Sequence, residues 1–308
     1  VLTSGKMSRV LVTGAGGFIG WHTLPPLVAA GFEVDAVTSS EPPAQAPVEV
    51  RWHRANLLEP RSAHTLCETV KPSHLLHLAW FVEPPAHLSA EVNLDWVHAS
   101  LRLLRAFTST GGQRMVVSGT HSEYIYNTTV HCLEEETPLR PVSLYGAAKH
   151  GFHVIAAAWA RETGMALCWG RVFNIYGPHE HVSSLVGTVA RALLRGQEVA
   201  TSDGRQVRDY LYVEELARAL VALVCGEVTG TVNVASGVPV QVADVILAVA
   251  VQAGRPELVR VGARSQRPGE PESLTADVRR LRDDVGFSPE IDLREGVART
   301  VAWWRANS

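Results

Sequence analysis

The segment from Arg9 to Gly20 leaves few folds open. Arg9-Val10-Leu11-Val12-Thr13 is a short apolar run that reads as a buried strand. It breaks into Gly14-Ala15-Gly16-Gly17-Phe18-Ile19-Gly20 and then into a helical pattern ending at Gly31. Strand, glycine loop and helix in this order are the setting in which a dinucleotide pyrophosphate binds at a helix N-terminus. The first glycine permits the tight turn, the second lets the backbone approach the phosphates, and the third lets the helix pack close to the strand. Gly14, Gly17, Phe18, Ile19 and Gly20 are therefore the expected cofactor cradle.

The chain that follows alternates strand and helix. Phe32 to Val37 reads as the second strand and Val48 to Arg54 as the third, with a helix over about 60–70 and a fourth strand over 73–79. A long helix is expected over about 88–110, a fifth strand over 114–118, a helix over 143–163 and a sixth strand over 165–173. This alternation predicts an α/β fold, a doubly wound parallel sheet of the Rossmann type. The second half is less regular. Helices over 186–195, 240–253 and 293–304, an acidic helix start within 209–224, and short strands at 232–234 and 258–261 suit a smaller substrate-binding lobe. The expected division is 7–175 for the dinucleotide-binding part and 176–308 for the lobe, interleaved with the sheet and not joined by a linker.

Positions beyond the strand ends give the remaining cofactor contacts. An acidic residue after the second strand would mark NAD by binding the ribose hydroxyls. Here Thr38-Ser39-Ser40 stands there, and hydroxyls without a carboxylate favour NADP(H), with NAD(H) the other possibility. Asn56 and Leu57 are expected at the adenine edge. Leu78 and the small Ala79 end the fourth strand where the chain passes the cofactor, and Trp80 opens a loop that walls the substrate.

Tyr145 and Lys149 are four residues apart, which places them on one helix face. A free tyrosine has a pKa of about 10. A nearby ammonium favours the phenolate and brings the group toward acid–base chemistry at a carbonyl or alcohol. Only three lysines occur, Lys6, Lys71 and Lys149, among cations that are otherwise arginine. Thr120, at the end of the fifth strand, would bring a hydroxyl beside Tyr145 to orient the substrate oxygen. His121 adjoins it and reads either as a substrate contact or proton-transfer aid, or as a loop histidine.

Composition excludes other classes. A net charge of −3 gives no electrostatic case for nucleic acid or an anionic membrane. No apolar run reaches the roughly 18 residues of a spanning helix. Cys67, Cys132, Cys168 and Cys225 show no CxxC spacing, so reduced thiols in the cytoplasm are expected, with neither disulfides nor zinc. His179-x-His181 has no third ligand nearby and is not read as a metal site. Val1–Lys6, ahead of Met7, is set aside from the fold argument, and no signal peptide is expected after it.

Gly14-x-x-Gly17-x-x-Gly20, the Thr120 strand end and Tyr145-x-x-x-Lys149 together resemble an extended short-chain dehydrogenase/reductase of the NAD-dependent epimerase/dehydratase family. Asn174-Ile175-Tyr176-Gly177-Pro178, Arg208-Asp209-Tyr210-Leu211-Tyr212-Val213 and Arg267-Pro268-Gly269-Glu270 extend the resemblance through nearly the whole chain. It implies a nucleotide-sugar substrate, with Asn174 donating to a phosphate and Arg208 and Arg267 neutralising the pyrophosphate. Thr120-His121-Ser122-Glu123 departs from the acidic pattern that dehydratases carry directly after the threonine. Glu123 is then structural or a contact to a sugar hydroxyl. The implied activity is an NADP(H)-dependent 4-ketoreductase acting on a nucleotide-activated 4-keto-6-deoxyhexose in deoxysugar biosynthesis. The alternatives are an epimerase or 4,6-dehydratase with tightly bound NAD, and a non-enzymatic dinucleotide sensor. The resemblance also implies a homodimer formed through the helices at 88–110 and 143–163.

Overall fold

Strand β1 (Arg9–Thr13) shows how the core is organised. Val10 and Val12 enter one hydrophobic cluster and Leu11 the opposite one, because successive strand side chains point to opposite faces. A strand apolar on both faces must be covered on both, as in parallel sheets. The computed structural model, which describes residues 8–43, 47–125, 129–266 and 269–307, places β1 inside such a sheet.

From β1 the chain runs through α1 (Phe18–Ala29), β2 (Glu33–Thr38), β3 (Val50–Arg54), α2 (Ser62–Val70), β4 (His74–His77), α3 (Val92–Ser109) and β5 (Arg114–Thr120). Next come β6 (Thr129–Cys132), α4 (Leu144–Thr163), β7 (Ala166–Val172), β8 (Asn174–Tyr176), α5 (Leu185–Leu194) and β9 (Val199–Ala200). They are followed by β10 (Val207–Tyr212), α6 (Val213–Cys225), β11 (Gly230–Val234), β12 (Pro239–Gln241) and α7 (Val242–Ala253). The chain closes with β13 (Val259–Arg260), β14 (Ser273–Ala276), α8 (Arg279–Asp283) and α9 (Leu293–Ala306).

The main sheet has the order β11-β7-β5-β4-β1-β2-β3, with every neighbouring pair parallel. Strand order reverses between β1 and β4, and open α/β sheets bind ligands beyond the strand C-termini at such a switch point. Leu24 and Leu27 of α1 join Leu216 and Leu220 of α6 over one face. Leu66 of α2, Leu103 and Phe107 of α3 and Phe152 of α4 cover the other. Each such side chain contributes about 1.5–3 kcal/mol on full burial. The doubly wound parallel sheet expected from the sequence is the one that forms.

A second, mixed sheet has the order β12-β10-β14-β6, with β8 paired to β10. It belongs to the smaller lobe, where α5, α7 and α9 bury their own cluster around Tyr176, Tyr212 and Trp304. The acidic helix start expected within 209–224 divides in two. Asp209 lies in β10, and its buried carboxylate accepts from Ser236 N (2.7 Å) and Gly237 N (2.9 Å), whereas Glu214 and Glu215 open α6. Asn233 of β11 ties the two sheets together. Its amide donates to Cys132 O (2.8 Å) and Asp277 O (3.1 Å), and its oxygen accepts from the Tyr124 hydroxyl (2.7 Å). Among the described residues, no helix is long and apolar enough to cross a membrane.

Candidate active site

The glycine loop closes as its composition requires. Gly14 has φ +71°, and a Cβ there would lie 2.8 Å from Ala79 N, while a Cβ at Gly20 would lie 2.2 Å from Gly14 O. Gly17 caps α1 with no side-chain hydrogen bond, so the first-turn amides of Phe18, Ile19 and Gly20 keep their donors and the positive end of the helix dipole. A cavity of about 260 Å³ beyond β2 is lined by Gly14, Gly17, Thr38, Ser39, Leu57 and Trp80, among others. Backbone cradle, open helix terminus and adjoining cavity fit a dinucleotide. Asn56, expected at the adenine edge, lies between the lining residues Ala55 and Leu57, and its Oδ1 accepts from Leu58 N (3.1 Å) within its own turn.

A second cavity, of about 350 Å³, shares Gly14, Gly17, Ala79 and Trp80 with the first and contains the proposed reacting groups. Helix α4 begins where the Ser143 hydroxyl accepts from Gly146 N (3.1 Å). The absent side chain of Gly146 lets the helix lie against Ser122, since a Cβ would come within 2.2 Å of Ser122 O. Tyr145 and Lys149 then enter the cavity one turn apart. Lys149 is 2% exposed, donates to Ser118 O (2.9 Å) and lies 4.0 Å above the Trp80 ring. Burial brings its pKa down to about 7, with the Glu123 charge opposing. The Tyr145 ring meets His87 edge-on at 5.0 Å.

Trp80 is fixed from two sides, donating to Asn93 Oδ1 (2.9 Å) and stacking on Trp96. The strand end before it is held by Thr13, whose hydroxyl accepts from Leu78 N and Ala79 N. That leaves the Thr13 hydrogen for His77 Nδ1 (2.7 Å), and the His77 Nε2–H for Ser100 (2.9 Å). Burial lowers the His77 pKa to about 3 and keeps the ring neutral, as this relay requires.

Thr120 and His121 line the same cavity. Thr120 Oγ1 accepts from Ser122 N (3.2 Å), which leaves its own hydrogen to donate. His121 is half-buried against Phe173, and desolvation lowers its pKa to about 4, helped by the charges of Arg208 and His87. Of the two readings of Glu123, its burial fits the structural one and not the sugar contact. Glu123 is fully buried and absent from the cavity wall, accepting from Thr120 N and Trp169 Nε1 (2.9 Å each) and from Arg171 Nε (3.1 Å). Gly119 makes room for this arrangement, since a Cβ there would lie 2.1 Å from Trp169 Nε1. Glu123, His150 and His153 bring possible ligand atoms within 4.8 Å of one another, but the Arg171 guanidinium already supplies the cation at this carboxylate.

A third cavity, of about 730 Å³, shares Pro84 and Ser184 with the reaction cavity and is lined by Asn174, Arg208 and Arg264 from the second half of the chain. Asn174 donates to Asp209 O (3.0 Å), and Arg208 pairs with Glu270 (3.0 Å). Arg267, expected to join them, lies outside the described residues. Sequence reasoning missed Glu180, which lines the reaction cavity from the turn after β8. The available signal was its place in the loop following Gly177-Pro178.

The profile of the NAD dependent epimerase/dehydratase family matches residues 10–235. Among solved structures, a UDP-glucose 4-epimerase from Thermus thermophilus, in complex with NAD, is 28% identical and covers 97% of this chain and 100% of its own at a TM-score of 0.86. MoeE5, in complex with UDP-glucuronic acid and NAD, is 30% identical over 98% of this chain and 100% of its own, with a TM-score of 0.84. A dTDP-glucose 4,6-dehydratase of Actinoplanes sp. is 25% identical over 97% of this chain and 98% of its own length. Both solved relatives hold NAD, and this overturns the expectation of NADP(H). Arg54, opposite Thr38 in the β2–β3 register, is paired with Glu41 at the surface. The profile match runs from β1 to β11, from one end of the main-sheet chain path to the other, and the chain belongs to the NAD dependent epimerase/dehydratase family.

Proposed function

We propose that the protein is a nucleotide-sugar 4-epimerase that keeps NAD throughout its cycle. When bound, NAD supplies the acceptor and donor of hydride at the sugar carbon. Tyr145 takes the proton of the sugar 4-hydroxyl and returns it, while the Lys149 ammonium stabilises the phenolate and Thr120 donates a hydrogen bond to the same oxygen. Asn174 and Arg208 hold the nucleotide diphosphate in the large cavity, which adjoins the reaction cavity at Pro84 and Ser184. The expected 4-ketoreductase would instead consume external reductant at each turnover. Similarity to NAD-holding relatives supports the redox-neutral reading.

One observation favours epimerisation over 4,6-dehydration. Removal of the 6-hydroxyl needs an acid beside the oxidised sugar, and the carboxylate nearest Thr120 in sequence, Glu123, is buried against Arg171 and Trp169. Dehydration is the second reading, supported by the Glu180 carboxyl in the cavity wall. The deciding experiment incubates purified protein with UDP-glucose and dTDP-glucose without added reductant, after measuring bound dinucleotide by mass. Bound NAD and a C4-inverted sugar by NMR are expected. A strict need for NADH or NADPH would sink the proposal, and loss of water from the sugar would establish the second reading.

We also infer a homodimer. Leu94 on α3 and Val154, Ile155 and Trp159 on α4 are exposed apolar side chains on the two helices expected to pair.

A further inference from the structure

Glu180 is a buried carboxyl for which the mechanism above has no use. It is 4% exposed and lines the reaction cavity from the second half of the chain, whereas Thr120, Tyr145 and Lys149 come from the first. The turn presenting it is well braced. His179 adopts a left-handed conformation (φ +67°), its ring lies 4.8 Å from Trp303 and 5.8 Å from His22, and Glu180 N donates to Gly177 O. Glu180 Oε1 accepts a long hydrogen bond from Trp304 Nε1 (3.4 Å), and among the described residues Oε2 has no hydrogen bond of ordinary geometry, the Ser184 hydroxyl acting on the carboxyl only weakly. Among the described residues, no arginine or lysine forms an ion pair with it. Burial raises its pKa to about 7 against the opposing effects of Ser184 and Trp304. An unsatisfied buried carboxyl oxygen at a cavity wall is unfavourable unless a ligand completes it.

We propose that Glu180 is a specificity-determining contact whose free oxygen hydrogen-bonds a hydroxyl of the sugar, so that the cavity takes neutral hexoses in preference to uronic acids. This rests on the nucleotide-sugar reading above and narrows it to a substrate class. A hydroxyl both donates and accepts, so it satisfies Glu180 whether ionised or protonated. A sugar carboxylate only accepts, and above about pH 7, where Glu180 is ionised, it finds no donor there and meets like charge. The rest of the wall offers little compensation: His121 and His87 are shifted toward neutrality, and Lys149, which donates to Ser118 O, serves Tyr145 in the mechanism above. His181, also in the wall, lies 4.0 Å from Glu83.

The test titrates NAD-loaded protein calorimetrically with glucose and glucuronate carried on the same nucleotide, UDP and then dTDP. The wild type is expected to bind the glucose form at least about tenfold more tightly. Glu180→Gln keeps shape and hydrogen bonding without charge, and is expected to reduce that preference to about threefold or less by tightening the glucuronate form. Unchanged NAD content and melting temperature in the variant establish that it is folded. An unchanged preference in Glu180→Gln overturns the proposal, as does a wild-type preference for glucuronate. Loss of turnover in Glu180→Gln with both affinities unchanged also overturns it, in favour of a chemical role. If neither sugar nucleotide binds, the epimerase reading fails and this inference with it. If they bind with the expected pattern but no C4 inversion occurs, only the epimerase reading fails.

Discussion

Tyr145 and Lys149 divide one task between them, and each can be tested alone. Tyr145→Phe keeps the ring against His87 and removes the proton carrier. Turnover should fall by about 10²–10⁴-fold with bound NAD unchanged, read by steady-state kinetics and cofactor mass on the same preparation. The Lys149 pKa is lowered to about 7, so its charge is present below that pH and is lost as the pH rises through it. The rate should decline on the alkaline side with a midpoint near 7, and Lys149→Arg, charged throughout, should flatten that limb of the pH–rate profile. This pair was legible in the sequence because both partners lie on one helix turn. Glu123 was not, since its partners Trp169 and Arg171 are 46 and 48 residues away. Glu180 was still less so, since Trp304, which donates to it, is separated by 124 residues.

At the scale of elements, β5 and β7 are joined by more than their ladder. Glu123, in the turn that leaves β5, accepts from Trp169 and Arg171 of β7, with Arg171 1% exposed. Glu123→Gln would leave that guanidinium buried without its charge partner. A loss of about 3–5 kcal/mol in urea unfolding is expected, the cost associated with breaking a buried pair from one side. A sugar contact would predict little change in stability. The strands of the main sheet could be read from the sequence because their apolar runs are set by coverage on both faces. β6, β8, β10, β12 and β14 could not. They are short, they carry polar residues such as His131, Asn174, Asp209 and Gln241, and partners far along the chain define them as strands.

For the whole molecule, the sequence showed a short strand at 232–234 but not its neighbour. Periodicity carries no information about which strand lies alongside, and only the fold shows β11 returning to β7 at the edge of the main sheet. The face of α3 and α4 supports an equally checkable expectation. Ile155→Glu places a charge among exposed apolar side chains, so the mass by sedimentation should be that of one chain, against two for the wild type. An unchanged mass would remove these helices from the interface. The position of Trp80 has a further consequence. Its indole borders both the cofactor and the reaction cavities and carries the Lys149 ammonium on its face. The ring is thus a built-in optical gauge: the difference between wild-type and Trp80→Phe emission should report dinucleotide occupancy and the discharge of one lysine, with no label attached.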